Sequence, residues 1–481
     1  MMMASSNQPK ALRMLFFTEM WERFSYYGMR ALLVLYLVNA LKYDRDHALS
    51  LYAIYTGLVY ITPIMGGYIA DHLLGTRKSI FIGGITMALG HFAMAFPSLL
   101  YLALGLLIIG NGFFKPNISS LLGSLYEKND SRRDGGFILF YIGINLGAFL
   151  SPLVAGTLGE QIGWHWGFAS AGIGMVIGLI TFLNGQKNLG NAGLTNGNER
   201  LGLKDSIQIM AISLAAIPLV YLIIQGYACF QPVWNNLSSL SRTLSEIASV
   251  TTLWFLGSNF GKSHPALTNQ EWKQILFILI LGLFVIFFWM GFEQAGGTMN
   301  LFADQKTNRF VGNWEIPSSY FQSINPLVII LLGPVFATLW SKLDRSKFAF
   351  PTTVKMAIGM IFLGLGFIVL AIADSKSNLS KVGPEWLLIV YFLHTIGELC
   401  LSPIGLSMVT NIAPARLASM LLGIWYLSNA IANYLAGTLE HMLASADIPV
   451  YWFLVVSSIG SGMLLLFISP FLNRLVNFEK N

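Results

Sequence analysis

The sequence is a near-continuous succession of apolar segments, each long enough to cross a lipid bilayer as a helix. A membrane-spanning helix needs about 20 mainly apolar residues. Fourteen such segments cover approximately 12–41, 47–71, 79–96, 99–124, 136–158, 165–185, 207–226, 237–259, 272–296, 316–341, 353–373, 385–409, 416–442 and 450–474. Only 11% of the 481 residues are charged, against about 25% in ordinary soluble domains. The sequence therefore predicts an all-α polytopic membrane protein.

The characteristic residues of several other classes of protein are absent from this sequence. The net charge of +6 comes from scattered Lys and Arg between apolar blocks, without the basic stripe of a nucleic-acid-binding protein. The two cysteines, Cys229 and Cys400, form neither a disulfide framework nor a CxxC metal site. No P-loop, nucleophile elbow or HExxH motif is present. We therefore expect no enzyme, no metal, no ATP-driven pump and no nucleic-acid partner.

The distribution of basic residues predicts the orientation of the chain. An even number of spans places both termini on one side of the membrane. Most of the 29 Lys and Arg residues fall in the termini and in the alternate loops on that side, for example Lys10, Arg77 and Lys342. Because cytoplasmic loops are enriched in Lys and Arg, we expect both termini to be cytoplasmic. The membrane would be the plasma membrane, which is the inner membrane in a bacterium.

A polar stretch rich in Gly and Asn, residues 186–206, divides the chain. We expect an N-terminal six-helix bundle over 1–185, a linker with two additional transmembrane helices over 186–270, and a C-terminal six-helix bundle over 271–481. We call the additional pair, 207–226 and 237–259, the linker hairpin, and number the other twelve predicted spans as core helices 1–12.

An internal similarity favours this division of the chain. The segment GGYIADHLLGTRK (66–78) follows core helix 2, and GPVFATLWSKLDR (333–345) ends core helix 8. The two segments lie six core helices apart, as a 6+6 duplication requires. A chance match of Gly and charged residues at helix ends is the alternative interpretation.

Charged residues inside the predicted spans recur on every third core helix. Each costs about 2.5–3.5 kcal/mol on insertion scales, and such residues mark functional pathways by default. They are Glu19, Glu22, Arg23 and Arg30 in core helix 1, Lys115 in core helix 4, Glu293 in core helix 7 and Glu398 in core helix 10. If each half repeats a three-helix unit, these four helices line a central cavity. Static ion pairs between helices are the alternative.

The charged residues of core helix 1 share one helical face. Glu19, Arg23, Tyr26 and Arg30 follow one another at intervals of three or four residues, with Glu22 beside Arg23. A Glu side chain can bind and release a proton, whereas Arg stays charged and grips a carboxylate with its planar fork. The face suits a proton-coupled anion site, although a stabilising pair between Glu19 and Arg23 accounts for part of the pattern.

Lys115 and Glu398 would face each other across the cavity, because core helices 4 and 10 are equivalent under the 6+6 scheme. Pro116 and Pro403 would distort both helices nearby. A substrate that carries an amine and a carboxylate would fit between Glu398 and the side of Arg23 and Lys115. A closed pair of Lys115 with Glu398, without a ligand, is the alternative.

Other polar and aromatic residues within the spans are weaker candidates. Trp289, Trp425, Tyr60 and Tyr141 would either form walls of the cavity or belong to the aromatic belt at the membrane interface. Asn145 and Asn325 would bind a substrate peptide group or cross-link helices. Of the histidines, His394, four residues before Glu398, is the candidate for proton transfer.

Four sequence motifs resemble those of the proton-dependent oligopeptide transporters, a family of the major facilitator superfamily. Residues 19–28 match the ExxERFxYYG signature of helix 1. FYIGINLGAFLSP (140–152) is similar to the family's helix 5 signature, and GNGFFKPNIS (110–119) to its helix 4 motif. The pattern Gly67-x-x-x-Asp71-x-x-x-Gly75-x-Arg77-Lys78 resembles the broader superfamily motif between helices 2 and 3. The resemblance implies the major facilitator fold with 6+6 core helices and the linker hairpin.

The resemblance also implies roles for individual residues. Glu22, with Glu19, would couple protons beside Arg23 and Lys115. Arg23 and Lys115 would bind the peptide carboxylate, and Glu398 the peptide amino terminus. Asn145 and Asn325 would bind the peptide backbone, while Arg30 and Glu293 would form a gating ion pair between the halves. The implied substrate-binding set is Arg23, Tyr26, Arg30, Tyr60, Lys115, Asn145, Trp289, Asn325, Glu398 and Trp425.

The expected function is import of di- and tripeptides with protons by alternating access. The partners would be small peptides, protons and the lipid bilayer, with the proton as coupling ion, no other cofactor, and a monomeric protein. Two alternatives remain open: a proton-coupled transporter of another charged metabolite, and a membrane sensor that does not transport.

Overall fold

The computed structural model describes residues 8–70, 74–127, 130, 132–194, 268–346, 349–414, 418–444 and 446–476. The first half contains six long helices: α1 (Lys10–Leu35), α2 (Arg45–Ile69), α3 (Thr76–Ala93), α4 (Leu100–Gly123), α5 (Arg133–Gly156) and α6 (Trp164–Gly185). A π-helical turn extends α1 over Tyr36–Ala40, and another extends α5 over Thr157–Ile162. These helices correspond to predicted core helices 1–6.

The second half contains six more long helices and one short one. They are α7 (Asn269–Phe292), the short α8 (Thr298–Gln305), α9 (Ile324–Asp344), α10 (Thr352–Ser377), α11 (Glu385–Ile412), α12 (Ala418–Ala444) and α13 (Val450–Val476). A 3-10 turn, Glu293–Gly296, joins α7 to α8. An antiparallel hairpin of β1 (Phe310–Val311) and β2 (Trp314–Glu315) and a 3-10 turn, Ser318–Ser323, lead into α9.

The all-helical fold class predicted from the sequence is confirmed. Nine helical segments within the described ranges are long and apolar enough to cross a membrane. The linker hairpin predicted at 207–226 and 237–259 lies outside the described residues, as does Asp71 of the superfamily motif. The total of fourteen spans, the domain boundaries and the cytoplasmic placement of the termini stay predictions.

Each half has its own hydrophobic core. One core joins buried side chains of the first half, from Ala11 to Leu189, and also includes Leu301 of α8. The other joins buried side chains from Ile275 to Leu472. Glycine permits the closest helix crossings in both halves. A Cβ atom on Gly83 of α3 would lie 2.6 Å from the carbonyl oxygen of Gly110 of α4, and a Cβ on Gly359 of α10 would lie 2.6 Å from that of Gly397 of α11.

We call the end of the molecule at which α1, α5 and α7 finish the upper end. The two halves are joined there by hydrogen bonds. After α5, the Glu160 carboxylate accepts bonds from the backbone N–H groups of Ser318 (2.6 Å) and Ser319 (3.0 Å) and from the Ser319 hydroxyl (2.6 Å). After α1, the Asn39 amide donates to Asp304 at 2.9 Å. The upper end therefore holds the halves together in this conformation.

Arg309, beside the β hairpin, organises the upper end further. Its Nη2 atom lies 3.1 Å from Asp304 and 2.8 Å from Glu315, and its Nη1 atom donates to the backbone carbonyl of Ile316 at 2.6 Å. Nη1 also lies 3.9 Å from the Glu160 carboxylate of the other half. Because Arg309 is 8% exposed, its charge needs these acidic partners.

Candidate functional site

A cavity of about 180 Å³ lies between the two halves. It is lined by residues of α1, α2, α5, α7, α9 and α11 and of the turns beside α7 and α9. Nine residues singled out from the sequence line it: Arg30, Tyr60, Tyr141, Asn145, Trp289, Glu293, Asn325, His394 and Glu398. The other predicted residues, Glu19, Glu22, Arg23, Tyr26, Lys115 and Trp425, are not among its lining residues. The predicted set therefore divides into a cavity group and a group on α1 and α4.

The second group is a buried ionic cluster. Glu19 and Glu22 are fully buried. Arg23 donates to both oxygens of Glu22, from Nε at 2.5 Å and from Nη2 at 2.6 Å, and its Nε lies 3.4 Å from Glu19. Lys115 donates to Glu19 from α4. The helical pair of Glu19 and Arg23 is thus present, but the bidentate partner of Arg23 is Glu22.

The bases of this cluster differ in exposure. The Lys115 side chain is 30% exposed, whereas that of Arg23 is 7% exposed. Charges placed this deep in a membrane-spanning bundle are costly unless they are paired. Because Lys115 shares the Glu19 carboxylate with Arg23, neutralising Glu19 would free Lys115 more readily than Arg23, which keeps its bond to Glu22.

Tyr27 connects the ionic cluster to the cavity. Its ring centroid lies 5.9 Å from the Cζ atom of Arg23 and 5.8 Å from that of Arg30, within the range of cation–π attraction. Tyr27 lines the cavity, while Tyr26, the tyrosine chosen from the sequence, is 4% exposed and belongs to the core of the first half. The sequence alone could not separate the two, because adjacent residues differ by only 100° around a helix.

An ion pair between Arg30 and Glu293 joins the halves at the wall of the cavity. Arg30 donates through Nη2 to Glu293, which lies in the 3-10 turn after α7, and through Nε to the Tyr52 hydroxyl at 2.7 Å. Both ions are buried, at 8% and 3% exposure. Tyr52 of α2 was not predicted, since a tyrosine in an apolar span gives no charge signal. The structure thus pairs the predicted partners, while their gating role stays a prediction.

Glu398 of α11 is held differently from the other buried acids. Its Oε2 atom accepts a hydrogen bond of 2.7 Å from the amide of Asn325 at the start of α9. The same amide donates to the Thr395 hydroxyl at 3.1 Å. Among the residues that the structure describes, Glu398 has no basic partner, and the pair with Lys115 considered above is not formed, because Lys115 binds Glu19.

The remaining candidates have separate positions. Trp289 and Tyr60 form cavity walls. The Asn145 amide donates to the Tyr141 carbonyl of its own helix at 3.0 Å. This N–H group therefore does not cross-link two helices. Trp425 is 5% exposed in the core of the second half, beside Gly405.

His394 lines the cavity and packs on Phe367, with ring centroids 4.6 Å apart. Within the described ranges, no three His, Cys, Asp or Glu side chains come together as metal ligands.

Comparison with known proteins decides the family. The profile of the POT family, PTR2, matches residues 77–453. The chain is 36% identical to the peptide transporter YePEPT of Yersinia enterocolitica, over 89% of this chain and 87% of that protein. It is 33% identical to a di-/tripeptide transporter of Lactococcus lactis subsp. cremoris, over 96% and 95%. The chain belongs to the POT family.

A solved structure extends the match to the whole fold of this POT-family chain. The crystal structure of a peptide transporter POT in complex with sulfate superimposes with a TM-score of 0.82 at 36% identity, covering 98% of this chain and 96% of that one. The family is one of transporters, not of enzymes, and its members are multi-pass membrane proteins, in bacteria of the inner membrane. The resemblance noted in the motifs is therefore confirmed.

Proposed function

We propose that this POT-family chain imports di- and tripeptides together with protons. The observation that carries the proposal is Glu398, a cavity carboxylate without a basic partner in the described part of the chain. The other buried acids each pair with a base: Glu22 with Arg23, Glu19 with Lys115, and Glu293 with Arg30. An unpaired carboxylate in a membrane-embedded cavity is costly. The cationic amino terminus of a peptide would supply the missing charge.

The other end of the peptide would find its partner in the cluster on α1 and α4. Lys115 is bound to Glu19 in this conformation. Protonation of Glu19 or Glu22 would remove negative charge from the cluster, and Lys115 could then bind the peptide carboxylate, with Arg23 beside it. Proton binding and peptide binding would favour each other, which is the thermodynamic requirement for symport. Tyr26, Tyr60, Trp289 and Trp425 would shape the side-chain pockets, and Asn145 and Asn325 would bind the backbone.

Alternating access requires that the two ends of the cavity open in turn. We propose that the upper end faces the outside of the cell and that the Arg30–Glu293 pair acts as its inner gate. The contacts of Glu160 with Ser318 and Ser319 would break when the outer side opens. The proton is the coupling ion and no other cofactor is needed. The path lies within one chain, so we expect a monomer.

The substrate class is tested by competition in proteoliposomes. We expect unlabelled di- and tripeptides to compete with the uptake of labelled dialanine, and free amino acids and nitrate to leave it unchanged. Competition by nitrate or by an amino acid alone would show that another charged metabolite is the substrate. A membrane sensor would show neither dialanine uptake nor acidification of the lumen when dialanine is added.

A further inference from the structure

Glu398 depends on the orientation of a single amide group. Asn325 lies on α9 and Glu398 on α11, so their hydrogen bond of 2.7 Å spans two helices. An ionised carboxylate only accepts hydrogen bonds, so the NH₂ group of the amide must face it. If the amide turned by 180°, its oxygen would face the carboxylate and repel it. Something must therefore hold the Asn325 side chain in one orientation.

Thr395 meets this requirement. It is fully buried, and its hydroxyl donates its one proton to the Tyr391 carbonyl at 2.6 Å, one turn earlier on α11. The hydroxyl oxygen has no second proton to donate, so it accepts from Asn325 at 3.1 Å. Both N–H bonds of the Asn325 amide are then used, one by Thr395 and one by Glu398. The reversed amide would leave Thr395 facing an oxygen that it cannot donate to.

We propose that Thr395 is a positioning residue for the recognition of the substrate amine. The chain of hydrogen bonds from Tyr391 through Thr395 and Asn325 fixes the Glu398 carboxylate at the cavity wall. The amine then meets an acceptor that is already oriented, so less free energy is spent on ordering the site. The proposal rests on the proposed function, since it assumes that a substrate amine binds at Glu398. It also gives Asn325 a role in holding Glu398, in addition to the backbone contact proposed above.

The test compares Thr395→Val with the wild-type protein, because valine keeps the shape and removes the hydroxyl. We expect the KM for dialanine to rise about tenfold, the equivalent of roughly one hydrogen bond, with kcat changed less than about twofold. Thr395→Ser restores the hydroxyl and should return the KM to near the wild-type value. The matched control is Thr181→Val on α6, where the hydroxyl makes the same type of bond to the carbonyl four residues earlier, at 2.8 Å; its KM should stay unchanged.

A second ligand separates positioning from packing. N-acetyl-dialanine lacks the cationic amine, so its affinity, measured by fluorescence titration of the purified protein, should be the same in Thr395→Val and wild type. Equal losses for both ligands, an unchanged KM for dialanine, or no rescue by Thr395→Ser would overturn the proposal. If Thr395→Val does not fold, Thr395→Ala is judged by the same criteria. Failure of the wild-type protein to bind or transport dialanine would instead refute the proposed function.

Discussion

The charged residues of the site, as far as the structure describes it, are unequal in number, with three bases and four acids. Arg23, Arg30 and Lys115 each have an acidic partner, and Glu398 is the remaining acid. Ion pairs of this kind contribute little net stability, because desolvation offsets the attraction between the charges. Their value lies in exchange, since a proton or a substrate charge can replace one partner at a time. A proton and a charged substrate can therefore share one set of charged residues.

Glu22 is the acid whose neutralisation we expect to uncouple transport from the proton gradient. Glu22→Gln keeps the size of the side chain but cannot bind and release a proton. We expect the variant to lose proton-driven accumulation of dialanine while it still exchanges internal for external dialanine in counterflow. Glu127→Gln, at an exposed position after α4, is the matched control and should keep both activities. Full uphill uptake by Glu22→Gln would refute its role in coupling.

The charged residues of the site could be predicted from the sequence better than the uncharged ones. Glu19, Arg30 and Glu398 stand out because charge is expensive inside a membrane span. Tyr27 and Thr395 give no such signal, since tyrosine and threonine occur throughout apolar helices. Which partner each charge takes also depends on distances between helices that lie far apart in the sequence. The most important example is Lys115, which forms its ion pair with Glu19 and not with Glu398.

Helix packing sets the positions of these charges. In α5, a Cβ atom on Gly147 would collide with the backbone carbonyl of Met20 and lie 3.0 Å from the backbone nitrogen of Phe24 in α1. The absence of a side chain thus allows α5 to lie directly against the segment that carries Glu19, Glu22 and Arg23. Close backbone approach at small residues is the usual means of helix association in membranes. The close contact between α1 and α5 therefore helps to position the charged residues of the site.

Gly147→Ala should disturb this contact. A methyl group against backbone atoms cannot be accommodated by a change of rotamer, and overpacking of this kind costs about 1–3 kcal/mol. We expect a lower Tm for the purified variant and reduced dialanine uptake. Gly460→Ala on α13 is the control, because its Cβ would meet nothing within 4 Å, so its Tm should not fall. Equal Tm values for the two variants would show that the α1–α5 contact is not tight.

Apolar length predicts that a helix exists but not how it ends. The predicted span 272–296 is α7 followed by a 3-10 turn, and this turn, not the helix, carries Glu293. The short α8 and the β hairpin before α9 were also absent from the prediction, because segments of this size lack a periodic pattern. Asp304 of α8 and Arg309, directly before the β hairpin, form an ion pair at the upper end. Sequence periodicity thus predicted the long helices of the bundle better than the small elements at its upper end.

At the scale of the whole molecule, the two bundles enclose the cavity described above and are joined by hydrogen bonds at the upper end. The predicted 6+6 duplication is consistent with the glycine crossings, since α3 and α4 in the first half correspond to α10 and α11 in the second. The duplication did not predict which residues join the two halves. At the upper end this contact includes the hydrogen bonds of Glu160 with Ser319. The two residues lie 159 positions apart in the sequence, and no local pattern encodes such a contact.

A disulfide across the upper end should stop transport. A Cβ atom on Gly156 would lie 3.2 Å from the Ser319 Cβ, close to the spacing of about 3.5–4.5 Å in disulfides. With Cys229 and Cys400 replaced by serine, we expect Gly156→Cys/Ser319→Cys to lose dialanine uptake on oxidation and to regain it with reductant. The two single cysteine variants should not respond to oxidation. Undiminished uptake by the cross-linked protein would contradict the need for the halves to separate there.

Accumulation of labelled dialanine in proteoliposomes tests proton-driven peptide import most directly. One charge moving through 100 mV supplies about 2.3 kcal/mol, so one proton can concentrate a neutral zwitterion by about fiftyfold. With a membrane potential negative inside, we predict accumulation toward this value, and a fall to the external concentration when a protonophore is added. Entry of dialanine that stops at the external concentration, with or without the protonophore, would contradict the proposed coupling.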